Sequence, residues 1–551
     1  MTKKKSVPQS NKSAFSSTIN AAVRASERIL PQAQPSKLSL IAITVAALML
    51  RLCFVGTTSL WIDEIWSIRI SHLPWNSYIW SILHQDPNMI LYYCMLHVWM
   101  KMGDSEAIVR GLSVLWGVAT VPVLALFGTK LFGKRAGLIA GLLLTLNVFH
   151  IQYSQEARAY SLVVLLVSLS SWCFVCCIES PRWYKWAAYS LLSVLAIYSH
   201  LFAVFVVISH VLSVLCMKSA RQAWKPMAAA TLGIGICVAP LAVPWYTVMH
   251  TPFVPFDWGK CDVQEFINVL SSLAGKGEYS TSPGNKLMLA MYCVLCCATC
   301  WSTYRLWRRS GDSRECWTRI VLAWWFVVPI AIVLFISLTI QPMLVNRYCL
   351  ISMPPLILLA AKGIDLIEQR MVRTAVIAVF MILAAMGMAP YYQHRVAWSE
   401  WKSVTDYIVE NEQPGDAAFF SVAPSWMLFD YYQQRYHPAF HSKIEIAYPR
   451  VAQGYDDPAT WEFKPTLHND EIESIAHSHS RVWVIRYHDQ WPSLKPVADR
   501  ITGFLSKVYP VVEMRRFGYV TVLVYSGREN PLAMQSLQGR NAAPETAIVS
   551  R

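Results

Sequence analysis

Charge is scarce in this sequence. Only 15% of its 551 residues are Asp, Glu, Lys or Arg, while 55% are hydrophobic and the mean hydropathy is +0.35. Soluble domains carry about 25% charged residues, so a wholly water-soluble chain is excluded and much of this one belongs in lipid. Cysteine is missing from the last 160 or so residues: none of the 14 lies beyond Tyr391. Most sit inside apolar runs such as Trp172-Cys173-Phe174-Val175-Cys176-Cys177 and Cys293 to Cys300, which themselves contain no imidazole or carboxylate. That placement excludes a disulfide framework and reads as small core residues rather than metal ligands. The formal charge of +14 does not point to nucleic acid, because the excess is explained by loops on one side of a membrane.

What is present is a series of apolar stretches long enough for about 30 Å of hydrocarbon. They fall near 38–58, 107–129, 136–153, 159–178, 184–199, 201–217, 227–249, 286–306, 320–340, 348–365 and 374–390. The expectation is therefore a membrane all-α bundle of about eleven transmembrane helices spanning residues 38–390. The apolar stretch Met89 to Met100 is too short to cross and is expected to lie at the interface within the first outside loop. Residues 1–37 are polar, Ser-rich and basic (Lys3, Lys4, Lys5, Lys12, Arg24, Arg28), as in a disordered cytoplasmic tail.

Basic residues orient the bundle. With the N-terminus in the cytoplasm, inside loops hold Lys134, Arg135, Arg182, Lys185, Lys218, Arg221, Lys225, five arginines from Arg305 to Arg319, Lys362, Arg370 and Arg373. Outside loops hold Arg69, Lys101, Arg158, Lys260, Lys276 and Arg347, roughly fifteen against six. An odd number of spans then puts the C-terminal part outside the cytoplasm. From about Trp398 hydropathy falls, and helical stretches alternate with short strands at Ala417 to Val422, Val482 to Ile485 and Tyr519 to Tyr525. These predict a small extracytoplasmic α/β domain over 391–527, followed by a disordered tail at 528–551.

Polar side chains cluster at five outside turns. They are Trp61-Ile62-Asp63-Glu64, His84-Gln85-Asp86-Pro87-Asn88 running into Tyr92-Tyr93, His150 to Tyr160 with Glu156 and Arg158, Tyr198-Ser199-His200, and Asn346-Arg347-Tyr348. Each alone has a structural explanation: an aromatic belt, an Asp-Pro helix start, a self-satisfied ion pair. Five on one membrane face point to a site, because polar groups beside lipid are costly. A transporter or flippase for a lipid-linked sugar is the alternative, but it needs polar groups near the midplane.

At these residues the sequence resembles membrane glycosyltransferases of the GT-C fold, in the family 39 or protein-mannosyltransferase-like branch. The matching stretches are Trp61 to Glu64, Asp86 to Tyr93, Gly103 to Glu106, Leu131 to Gly137, Tyr153 to Tyr160 and Asn346 to Tyr348. The resemblance implies a polyprenyl-phosphate-linked sugar as donor and a glycan, lipid or protein hydroxyl as acceptor. It makes Asp63 the reaction-centre carboxylate with Glu64 beside it. Arg158 and Arg347 become ligands of the donor phosphate, and Asp86, Asn88, Tyr93, Glu156, His200 and Tyr348 become pocket residues. Asp63, Glu64 and Asp86 are the candidate ligands should a divalent cation such as Mg or Mn take part, since hard cations favour oxygen. Where many relatives carry His-Pro-Pro-Leu-Tyr-Tyr, this chain has Pro87-Asn88-Met89-Ile90-Leu91-Tyr92-Tyr93, so acceptor identity is not carried over. Adjacent side chains diverge by about 100° on a helix, so Asp63 and Glu64 are ill-placed as a facing nucleophile and acid.

Overall fold

The computed structural model describes residues 34–75, 87–216, 220–250, 261–277, 280, 282–311, 313–397, 401–439, 442–448, 467–487 and 495–527. The expected tails at 1–37 and 528–551 lie almost wholly outside these residues. All eleven apolar stretches are helical. Seven helices are long and apolar enough to cross a membrane: Glu106–Phe132, Tyr160–Glu179, Arg221–Thr247, Gly284–Arg309, Arg314–Thr339, Asn346–Asp365 and Arg370–Gln393. A bent pair, Lys134–Leu146 and Val148–Ser154, makes an eighth candidate. The remaining three, Lys37–Leu52, Trp183–Ser199 and Val204–Cys216, have 16, 17 and 13 residues. At 1.5 Å per residue each is shorter than about 30 Å. Helices Ile62–His72 and Ile90–Trp99 are shorter still and do not span.

The first helix shows how the bundle sorts its faces. Leu38, Ile41, Val45 and Met49 recur at helical spacing and are exposed, as lipid-facing residues are, while Ala47 and Arg51 point inward and are buried. Arg51 is a buried charge inside this apolar helix. Its guanidinium donates to the carbonyls of Ala47 (3.2 Å), Leu144 (3.2 Å) and Thr145 (3.4 Å), and lies 2.8 Å from His150 Nδ1. Leu144 and Thr145 lie in the last turn of helix Lys134–Leu146, at the negative end of the helix dipole. Immediately after them the chain bends by 62°. Asn147 restarts it as an N-cap, its Oδ1 accepting from His150 N at 2.9 Å.

Close helix packing explains Gly137 and Gly141. A Cβ on Gly137 would stand 2.3 Å from the Ala125 carbonyl oxygen, and one on Gly141 2.9 Å from Ala125 Cβ. Only glycine lets helices Glu106–Phe132 and Lys134–Leu146 approach so closely. All fourteen cysteines are free.

The C-terminal part forms a five-stranded mixed sheet, order β2-β1-β3-β5-β4. Its strands are β1 Ala417–Phe420, β2 Glu445–Tyr448, β3 Val482–Tyr487, β4 Val511–Phe517 and β5 Val520–Ser526. β1 runs parallel to β2 and β3, while β5 is antiparallel to β3 and β4. Gly518, at φ +54°, opens the two-residue turn between β4 and β5. Helix Trp426–Tyr436 ties this layer to the first loop. Tyr432 OH accepts from Leu60 N at 2.8 Å, Asp430 pairs with Arg69, and Arg435 pairs with Asp104 at 3.0 Å. The sheet domain therefore sits at the same end of the bundle as Asp63.

Candidate active site

Asp63 and Glu64 open the helix Ile62–His72, where negative charge suits the positive helix end. Their environments are opposite. Glu64 is fully buried and gripped on both oxygens: Arg110 Nε donates to Oε1 and Arg110 Nη2 to Oε2, each at 2.7 Å. Ala157 N donates to Oε1 at 2.9 Å, and Trp61 N to Oε2 at 3.3 Å. Arg110 spends its remaining donors on the carbonyls of Val55, Thr58 and Ser59 and on Thr58 Oγ1, at 2.9 to 3.0 Å. The pair thus pins three segments together: the loop 55–59, the start of helix Ile62–His72, and the turn before Arg158.

Asp63 is half-buried, and its carboxylate makes no hydrogen bond or ion pair with any described residue. It lies within electrostatic reach of Arg347 and Tyr160. Its own carbonyl is fixed by Ser67 Oγ at 2.9 Å and by Arg158 Nη1 at 3.4 Å.

Arg158 is buried, and its Nη1 also donates to Ser67 Oγ (3.3 Å) and Tyr93 OH (3.1 Å). Its backbone is fixed too: Ser113 Oγ donates to the Arg158 carbonyl at 3.0 Å, and Arg158 N to the Glu156 carbonyl at 2.7 Å. Arg347 rides over the Trp61 and Tyr348 rings at 5.9 and 5.8 Å, a flat packing that suits guanidinium. His200 packs against Tyr160 (5.9 Å) and Tyr348 (5.8 Å). Burial, with Arg158 and Arg347 nearby, lowers its pKa to about 3, so the ring is neutral.

All five turns thus meet. The Asp63 turn touches Arg158 and Arg347, and Tyr93 touches Arg158. Asn88 Oδ1 accepts from Leu201 N at 3.0 Å, which ties its turn to that of His200. Glu156 is buried beside Arg158. Asp86 lies outside the described residues, so it takes no place in this geometry. Among the described residues no group of three or more His, Cys, Asp or Glu side chains is disposed to share a metal ion.

Arg110, Ser67 and Ser113 join the site from outside the five polar turns named by the sequence or without a distinguishing mark in them. Arg110 had a signal: a lone charge inside an apolar span needs a counter-charge, and Glu64 supplies it.

Residues 85–246 match the model of a family described as dolichyl-phosphate-mannose-protein mannosyltransferase. The match takes in Asn88, Tyr93, Glu156, Arg158 and His200 but stops short of Asp63 and Arg347. No curated protein matches the chain in sequence. Among solved structures, the chain is similar to ArnT from Cupriavidus metallidurans bound to undecaprenyl phosphate, with 12% identity, a TM-score of 0.57, and 89% of this chain and 98% of that one covered. The same protein in the apo state gives 12%, 0.57, 88% and 97%. The archaeal oligosaccharyltransferase AglB from Archaeoglobus fulgidus, in complex with an inhibitory peptide and a dolichol-phosphate, is similar at 11% identity and TM-score 0.50, covering 87% and 74%. The fold is GT-C, as the resemblance read from the sequence implies.

Proposed function

We propose that this protein moves one sugar from a polyprenyl phosphate to an acceptor hydroxyl at the extracytoplasmic face, with inversion at the anomeric carbon. The observation that carries this reading is the contrast between neighbours. Asp63 keeps an unengaged carboxylate beside two arginines, while Glu64 is consumed by Arg110.

The acceptor oxygen attacks the anomeric carbon, and the bond from that carbon to the phosphate oxygen breaks. The hydroxyl proton passes to Asp63 as general base. Phosphate leaves without needing a proton, so a single carboxylate suffices. The departing group gains negative charge, and Arg158 and Arg347 offset it most strongly as the bond breaks, which is where stabilisation raises the rate. Guanidinium forks fit phosphate oxygens in pairs. Glu64 is given a positioning role instead of the reaction-centre or metal-binding one expected from the sequence: with both oxygens saturated, it has no lone pair to offer a substrate or a cation. Tyr93 and Ser67 hold Arg158 in place, and Asn88 holds the turn of His200.

The basic-residue imbalance supports a cytoplasmic N-terminus and an extracytoplasmic sheet domain. Docking of that domain on the loop that bears Asp63 is consistent with both being on one side. The isoprenoid chain would lie against the apolar faces of the bundle. The test is mass spectrometry of lipid-linked sugars and surface glycans with and without the gene. An accumulating donor together with a missing glycan is expected. Unchanged pools of both would refute a transferase.

A further inference from the structure

His200 sits in the turn between helices Trp183–Ser199 and Val204–Cys216 and is 2% exposed. Its Nδ1 accepts from Phe202 N at 3.3 Å. That contact fixes the tautomer, because a neutral imidazole whose Nδ1 lone pair is engaged carries its proton on Nε2. Nε2 is buried and meets no acceptor among the described residues. The ring is walled by Phe202 (5.3 Å), Tyr348 (5.8 Å) and Tyr160 (5.9 Å). A buried donor without an acceptor is expensive and calls for an explanation.

The charges around the ring supply one. His200 feels Arg158 and Arg347, which favour an anionic oxygen over a neutral hydroxyl as the missing acceptor. A second N–H tells the same way: Trp61 Nε1, on the ring over which Arg347 rides at 5.9 Å, is buried and also has no acceptor among the described residues. General-base chemistry at His200 is unsuited to this arrangement, since its one lone pair is already used by the Phe202 amide.

We infer that His200 Nε2–H is a direct, uncharged hydrogen-bond ligand for a phosphate oxygen of the lipid carrier, set beside the two guanidinium groups. This rests on the phosphate-binding reading above. An uncharged donor adds a directed bond without holding the spent carrier as tightly as a third cation would, which matters where the product must leave.

The test uses the full-length protein in nanodiscs, with undecaprenyl phosphate as probe and undecaprenol as its uncharged counterpart. Losing one hydrogen bond to an anion weakens binding about 10- to 100-fold. His200→Phe should therefore lose phosphate-lipid affinity by that factor while binding undecaprenol as before. His200→Gln, whose amide N–H reaches the position of Nε2, should stay within about threefold of the unaltered protein. Should His200→Phe fail to fold, His200→Leu takes its place. Unchanged affinity in the donor-less variant overturns the role of His200 and leaves the phosphate site standing, as does a His200→Gln protein as weak as His200→Phe. If the unaltered protein does not prefer the phosphate to the alcohol, the phosphate site itself is wrong and the role of His200 falls with it.

Discussion

Glu64 and Arg110 meet in a two-pronged ion pair, Nε to Oε1 and Nη2 to Oε2 both at 2.7 Å, with side chains only 1% and 2% exposed. Such a pair is costly to break by halves, because the partner left behind is a buried lone charge. Glu64→Ala or Arg110→Ala should each lose roughly 3–5 kcal/mol of stability, whereas replacing both by apolar residues of similar size should recover most of it. Thermal unfolding in detergent reads this directly. Two single variants no more damaging than the double one would show that the pair is not the keystone of the first loop.

Tyr432 reaches from the sheet domain to Leu60, one residue before Trp61. Tyr432→Phe removes the acceptor of the buried Leu60 N–H, which costs about 1–3 kcal/mol. Turnover should fall with it, since the loop leading to Asp63 loosens. The neighbouring Arg69–Asp430 and Arg435–Asp104 pairs are partly solvated. Each is expected to contribute under about 1 kcal/mol, so Asp430→Asn should barely move the melting temperature.

Gly137 tests the helix packing under the site. Alanine there would drive its methyl against the Ala125 carbonyl at 2.3 Å, which is backbone and cannot swing aside. A loss of about 1–3 kcal/mol is expected. Gly133 faces open space but has φ +95° and ψ 165°, a region essentially reserved for glycine, so alanine there should cost a similar ~1–3 kcal/mol through backbone strain alone. The ratio of folded yields for the two variants checks the assignment.

Stability should carry a pH signature of His200. Its pKa falls from 6.5 to about 3 on folding, so the unfolded chain binds the proton and the folded one refuses it. The neutral ring therefore costs nothing above pH 6.5, and stability declines as pH drops from about 6.5 toward 3. At pH 5 the penalty is about 2 kcal/mol. The groups facing the ring, Arg158, Arg347, Tyr160 and Tyr348, stay in one protonation state over this range. Against His200→Gln, the unaltered protein should thus lose melting temperature faster between pH 8 and pH 5. Parallel curves would contradict a buried neutral imidazole.

The bundle was legible because an apolar run of helical length has few alternatives in lipid, and all eleven runs are helices. The break at Asn147 was not read, although its signal was present. A lone Asn inside the run 136–153 served as an N-cap, and its Nδ2 reaches Leu273 O at 3.1 Å across the fold. In the sheet domain β1, β3 and β5 were anticipated, while β2 and β4 were missed. β4 is an edge strand, Val511-Val512-Glu513-Met514-Arg515-Arg516-Phe517, exposed along nearly its whole length, so no buried face imprinted an alternation on it. At the site, the meeting of five turns followed from their shared membrane face. Which of two adjacent carboxylates remained available did not, because that depended on Arg110, forty-six residues away in sequence.

The most direct measurement compares Asp63→Asn with the unaltered protein in nanodiscs, using the lipid-linked sugar that accumulates when the gene is absent. Binding of that donor should stay within about threefold, while sugar transfer should fall at least 10²-fold, the lower range for losing a general base. Transfer by Asp63→Asn at the unaltered rate would contradict the account.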